Sequence, residues 1–176
     1  MGASGRTAAR KCVLLTALPG HDVRRDLLLL LVLATIVTGL YAGFMLTFLT
    51  GIMPGLAELT DEQFTPAMRR FNEKVPGPVF LVLFLGVVAL LAAAFVTGLG
   101  EHDDGAGPAI LAALICSVVG HLITVAGNIP LNNALAASED GDDSAARTAF
   151  ESRWNMLHRV RTVLSLAAFV LLAVAL

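Results

Sequence analysis

The chain has 176 residues, 56% of them hydrophobic and 15% charged, which is more apolar surface than one soluble domain of this length can hide. Its formal charge of −2, with no basic stripe interleaved with aromatics, excludes a general nucleic-acid binder. Cys12 and Cys116, the two cysteines, form neither a C-x-x-C pair nor a disulfide framework, so they assign no redox compartment.

Four apolar windows pass the length test for a membrane helix, roughly 17–25 residues: Leu27–Met53, Pro78–Leu99, Ala109–Ile129 and Val160–Leu176. The expected fold is all-α: one four-helix transmembrane bundle over residues 27–176, with a short amphipathic interfacial helix between helices 1 and 2. The lipid bilayer is then the first partner of the chain. Ahead of the bundle lies a tail, 1–26. Its apolar patch, Cys12–Leu18, is short, is followed by Asp22, Arg24, Arg25 and Asp26, and has no small-residue cleavage site, so it reads as a retained tail rather than a signal peptide.

Along helix 1, Gly39 and Gly43 form a G-x-x-x-G extended by Thr35, Thr47 and Gly51, a spacing that marks close helix packing. In the first connection, Thr60 and Gln63 fit a capping box, Thr65 and Pro66 fit an N-cap with proline at N1, and Phe64, Met68, Phe71 and Val75 recur at helical spacing. Arg69, Arg70, Glu73 and Lys74 fall on the other face, which an interfacial helix turns to water and headgroups. The second connection, GEHDDGAGP, reads as a plain turn, with His102 a solvated residue rather than a metal ligand. The third, SEDGDDS, lacks the order of a calcium loop and reads as hydrated.

The last helix, expected over 145–176, is uncharged only from Thr162 onward, so its first half leaves the membrane and Arg159 and Arg161 sit at or just inside the interface. One arginine can snorkel and the other face the bundle. Lys and Arg are divided between the two sides: the tail holds Arg6, Arg10, Lys11, Arg24 and Arg25, and the first and third connections hold the rest. The positive-inside rule therefore does not orient the chain.

The polar residues inside the spans are the most informative. On helix 3, Ser117, His121, Thr124 and Asn128 share one face, with Asn132 continuing the series past Pro130; on helix 4, Trp154, His158, Arg161 and Ser165 do the same. Polar groups that face lipid lack partners, so the two stripes are expected to face each other, with Asn128 and Arg161 at similar depth. Their plain role is hydrogen-bond glue between helices. Pro130 removes a backbone donor and is expected to kink or end helix 3, with Asn128, Asn132 or Asn133 capping what is left open. A haem between His121 and His158 fits poorly, because the two histidines fall at different depths. A hydrolytic triad lacks a carboxylate inside any span.

The ordered set GLYAGFMLTFLTGIMPGL, DEQFTPAMRRFNEKVPGPVF, GNIPLNNAL and FESRWNMLHRVRT resembles the anthrone oxygenase-like family of small four-helix membrane proteins. Its most specific parts here are Met53–Leu56, the Phe64, Met68 and Asn72 set, Asn128–Asn133 and Trp154–Arg161. The family pattern has Asn-His where His158 and Arg159 stand, while Arg161 matches. The resemblance implies an oxygenase that oxidises an anthrone-type polyphenolic ring to a quinone with molecular oxygen and no organic cofactor. Such chemistry needs a base, oxyanion donors and an apolar slot. On that reading His158 is the base, Arg161, Asn128 and Asn132 are donors, and Trp154, Phe71 and Met68 wall the slot together with Asn72, His121, Thr124 and Asn133. No metal site is expected. Two other readings use the same residues: a non-enzymatic binder of a lipophilic molecule such as a quinone, and a structural partner subunit.

Overall fold

The computed structural model describes residues 20–99 and 106–176, and the side chains from Val23 onward. Most of the expected tail, with Cys12, and the His102 turn lie outside these residues. Helix α1 (Gly20–Thr47) passes through a single wide turn, Phe48–Ile52, into α2 (Met53–Ala57). Helix α3 spans Asp61–Lys74, and α4 spans Pro78–Gly98. Helix α5 (Gly107–Ile123) runs through a second wide turn, Thr124–Asn128, into α6 (Ile129–Ala137), and α7 spans Asp143–Ala175. Four stretches are long and apolar enough to cross a membrane: Val23–Ala57, Pro78–Gly98, Gly107–Ala137 and Asp143–Ala175. The protein is an integral, multi-pass membrane protein, all-α among the described residues.

Pro130 does not end its helix. It sits at the start of α6, and the turn before it closes with an i→i+5 bond, Ile129 N to Thr124 O. Proline offers no N–H and crowds the carbonyl four residues back. A π turn moves the ladder over by one residue, so the helix continues past the ring. Pro54 is handled in the same way, with Met53 N donating to Phe48 O. Consequently Asn128, Asn132 and Asn133 are not needed as caps.

At 33 residues, α7 is about 50 Å long, some 20 Å more than the hydrocarbon thickness. Its first turns therefore stand outside the bilayer and belong to a cap. One apolar cluster lies within the bundle, around Leu31, Tyr41, Met45, Leu91, Ile110 and Leu172; the other lies in the cap, around Phe48, Met53, Phe64, Met68, Phe150 and Trp154.

Helix α3 forms part of this cap. Thr60 and Gln63 make the expected capping box. The Thr65–Pro66 pair instead falls inside the helix, and the Thr65 hydroxyl donates to the Asp143 carbonyl at 3.0 Å. The apolar face, Phe64 and Met68, is fully buried against protein rather than laid into lipid. Arg69 is also turned inward: it donates to the carbonyls of Leu135 (3.0 Å) and Ser138 (2.7 Å), to Ser138 Oγ, and to Asp143 Oδ1 at 3.2 Å. Those carbonyls end α6, where a helix has unpaired acceptors and the negative end of its dipole. Arg147 does the same where α2 ends, donating to the carbonyls of Ala57 (3.1 Å) and Leu59 (2.8 Å). Arg70, by contrast, is exposed on an ion pair with Glu73, which raises its pKa further.

The expected glycine packing holds only in part. A Cβ on Gly39 would meet the Phe169 ring, but Gly43 and Gly51 have nothing within 4 Å. The closer approach is between α5 and α7, where a Cβ on Gly127 would lie 2.7 Å from Leu157 Cδ1 and one on Gly120 would lie 4.0 Å from Arg161 Cβ.

Candidate functional site

Where the bundle meets the cap lies an open pocket of about 690 Å³, mouth included. Its wall is largely aromatic: Phe44 and Phe48 from α1 and the turn after it, Phe80 and Phe84 from α4, and Trp154 from α7. Phe80 and Phe84 lie near parallel at 18°, with ring centres 5.7 Å apart, and Phe44 tilts against Phe80 at 5.6 Å. Val75 and Pro76, after α3, complete the cover together with Asn72. Such a slot suits a flat ring.

Polar groups converge on the inner end. Arg161, 6% exposed, donates from Nε to His158 Nδ1 at 3.1 Å and from Nη1 to Thr124 Oγ1 at 3.2 Å. Its guanidinium carbon stands 5.3 Å from the centre of the Trp154 ring. None of these partners is a carboxylate. A buried cation normally requires an anionic partner or dense hydrogen bonding, and Nη2 donates to no protein group among the described residues.

Three asparagines share the lining with Arg161. Asn132 Oδ1 accepts from the Trp154 indole N–H at 2.9 Å, which leaves its amide N–H₂ unengaged. Asn128, 1% exposed, donates to the Trp154 carbonyl at 3.5 Å, and that contact orients its amide. Asn128 Oδ1 and Asn72 Nδ2 are buried with no partner. Unpaired buried amide groups are rare and costly, so their convergence on one cavity marks a place for a ligand that offers both an acceptor and a hydroxyl.

The structure thus brings Asn72, Thr124, Asn128, Asn132, Trp154 and Arg161 onto one pocket. The other expected site residues stand elsewhere. His158 is fully buried behind Trp154, with ring centres 4.8 Å apart, and does not line the pocket. Because arginine Nε only donates, His158 Nδ1 must accept, and Nε2 carries the proton given to the Met45 carbonyl at 3.1 Å. Both nitrogens are therefore used, and the ring fixes Arg161 rather than facing a ligand. Phe71 lies behind Phe48, with ring centres 5.9 Å apart, and Met68 is enclosed in the cap. Asn133 is exposed on α6, away from the cavity. His121 is glue: it stacks on Phe84 at 4.0 Å, contacts the Phe84 carbonyl, and meets its own Ser117 carbonyl at 2.7 Å.

The stripes on α5 and α7 do meet, but one turn out of the expected register: Arg161 pairs with Thr124, whereas Asn128 pairs with Trp154. Arg159 is exposed and Arg161 buried, which divides the two arginines as the sequence anticipates. The residues missed from sequence are the phenylalanines of the wall. Phe44/Phe48 and Phe80/Phe84 are both i,i+4 pairs at the same end of adjacent antiparallel helices, a signal that could have found them.

The orphaned Asn128 oxygen leads to a test. Asn128→Leu removes an unsatisfied group and one long hydrogen bond, so its stability is expected to match the parent or exceed it by about 1 kcal/mol. Affinity for a flat hydroxylated aromatic probe is expected to fall about tenfold, equivalent to 1.4 kcal/mol. Thermal unfolding and a Trp154 fluorescence titration in the same detergent check both halves.

Among known families, the profile described as anthrone oxygenase matches residues 67–171. The matched segment holds Asn72, Asn128, Asn132, Trp154 and Arg161 and leaves out Met53–Leu56 and Phe64. No curated protein and no solved structure matches the chain. With more than half of its length matched, the chain belongs to the anthrone oxygenase family.

Proposed function

We propose that this protein is a membrane-embedded oxygenase that converts a lipophilic anthrone-type ring to the quinone with molecular oxygen. The observation that carries the reading is Arg161, a buried guanidinium without a carboxylate, set in an aromatic pocket whose lining also holds unpaired amides. An anthrone that loses a ring proton becomes an enolate, and its oxygen is the anion the site lacks. Arg161 Nη2, Asn72 Nδ2 and Asn132 Nδ2 are donors for that oxyanion, held in place before the substrate arrives. Asn128 Oδ1 can accept from a neighbouring phenol.

In the balanced reaction the ring methylene loses two hydrogens and gains one oxygen atom as a carbonyl, while the second oxygen atom of O2 leaves as water. The enolate is the electron donor and O2 the acceptor. The chain contributes the slot, the oxyanion donors and the exclusion of water. His158 acts through Arg161 as a positioning residue.

No carboxylate or unengaged imidazole stands among the residues that line the pocket, so ionisation of the ring is the substrate's own, favoured by the cation beside it. kcat is therefore expected to rise about tenfold per pH unit until the bound ring's own pKa is reached, and to level at the same pH in the parent and in His158→Gln. Oxygen-electrode rates across pH check this. A plateau that shifts or disappears in His158→Gln would return the base role to His158.

The same lack of a base favours a second reading, in which the pocket holds a quinone without turning it over. Saturable quenching of Trp154 with no oxygen uptake above autoxidation would favour that reading.

A further inference from the structure

We infer that the pocket takes its ligand sideways from the bilayer, through a cleft between α4 and the turn that joins α5 to α6, with Leu81 and Ile129 as its two jambs. The inference rests on the pocket being a site for a lipophilic ring. Helix α4 packs along α5 but makes no extended contact with the Thr124–Asn128 turn or with α6. The two helices of the hairpin therefore part as they approach the cap. Leu81 and Ile129 both line the pocket, one from each side of the gap, and are 45% and 43% exposed.

The polarity of the lining gives the direction. Its exposed members, Pro76, Leu81 and Ile129, are all apolar, whereas Asn72 and Asn132 are half-buried and Thr124, Asn128 and Arg161 are buried. A mouth that opens to water carries a polar rim. Leu81 is the fourth residue of α4, about 5 Å along from the helix start, a depth at the top of the acyl chains. On the opposite side, the cap closes the bundle with Met53, Phe64, Met68 and Phe150, each no more than 4% exposed. A flat hydroxylated ring partitions to the boundary between headgroups and acyl chains, and this is the depth at which the cleft opens. The π turn supports the opening: it carries the backbone past Pro130 while Thr124 and Asn128 remain inside and Ile129 faces lipid.

The chain has one tryptophan, Trp154, and it lines the pocket, so its fluorescence reports arrival. With the full chain in nanodiscs, stopped-flow quenching by a lipophilic hydroxyanthraquinone is compared with quenching by a sulfonated anthraquinone that stays in water. The lipophilic ring is expected to quench at a rate that follows its concentration in the lipid, and the sulfonate at least tenfold more slowly. Leu81→Phe with Ile129→Phe is expected to slow the lipophilic ring about tenfold and leave the final amplitude unchanged. Val170→Phe, on a lipid face far from the cleft, is expected to leave the rate as in the parent. Equal rates for the double variant and the parent, or equally fast quenching by the sulfonate, overturn the lateral route while leaving the site intact. An absence of quenching by either ring overturns the site reading and the route together. Quenching of Trp154 by bromine-labelled acyl chains that the anthraquinone does not relieve would make the cleft a seat for lipid and overturn the route as well.

Discussion

Arg161→Met is expected to lower anthrone-dependent oxygen uptake by about two to three orders of magnitude, the loss that follows removal of one preorganised oxyanion donor, and to leave the fold in place. Methionine fills much of the same volume and carries no charge. The variant loses the bonds to His158 Nδ1 and Thr124 Oγ1, each a loss of about 1 kcal/mol. It also removes a buried cation that no carboxylate compensates, a change that is often neutral or stabilising. The two effects oppose each other, so the melting temperature is expected to move by only a few degrees. Arg161→Lys is expected to be nearly as inactive, because an ammonium cannot hold Nε to His158 and Nη1 to Thr124 while presenting a third nitrogen to the ligand. Oxygen uptake beside a thermal melt of each variant separates chemistry from folding. Parent-like uptake by Arg161→Met would remove the cation from the mechanism.

Arg69→Ala is expected to be the most damaging single change to stability, at about 3 kcal/mol, because truncating one partner of a buried charged network strands the others. The guanidinium joins α3 to the end of α6 and to Asp143 at the start of α7. Without it the Leu135 and Ser138 carbonyls lose their donor, and the Asp143 carboxylate loses its ion-pair partner. Since α3 and the residues after it, Asn72, Val75 and Pro76, cover the pocket, ligand affinity is expected to fall along with stability. Arg70→Ala, at an exposed i,i+3 pair on the same helix, is expected to change little. Unfolding followed in detergent for both variants checks the contrast.

The sequence by itself determined the class of fold. The apolar windows are long enough to cross a bilayer, and each falls on an observed span, although the third span runs on to Ala137 and the fourth begins as early as Asp143, because lipid imposes one simple requirement: an apolar helix with its backbone internally bonded. It also identified the α5 and α7 stripes, because polar side chains in a span must turn inward, and it set Arg161 but not Arg159 on the α7 stripe by spacing. The capping box at Thr60 was legible because it is a local contract between residues three apart.

Only the tertiary structure decided what each polar side chain meets. Pro130 carried the local signal for a helix end, and that signal was overridden by a π turn, which neighbouring helices can stabilise but a propensity cannot express. Arg69 and Arg70 are adjacent and chemically alike, yet one closes the end of a distant helix and the other is solvated. The difference lies in where α6 ends. His158 and His121 were equal candidates for chemistry by spacing, and both proved to be engaged by backbone carbonyls through one or both nitrogens. The pocket itself arises where α4 diverges from α6, a gap between elements far apart in sequence. Periodicity along one helix records which face is buried, but the identity of the groups across the interface depends on register and crossing geometry, which only the packed bundle contains.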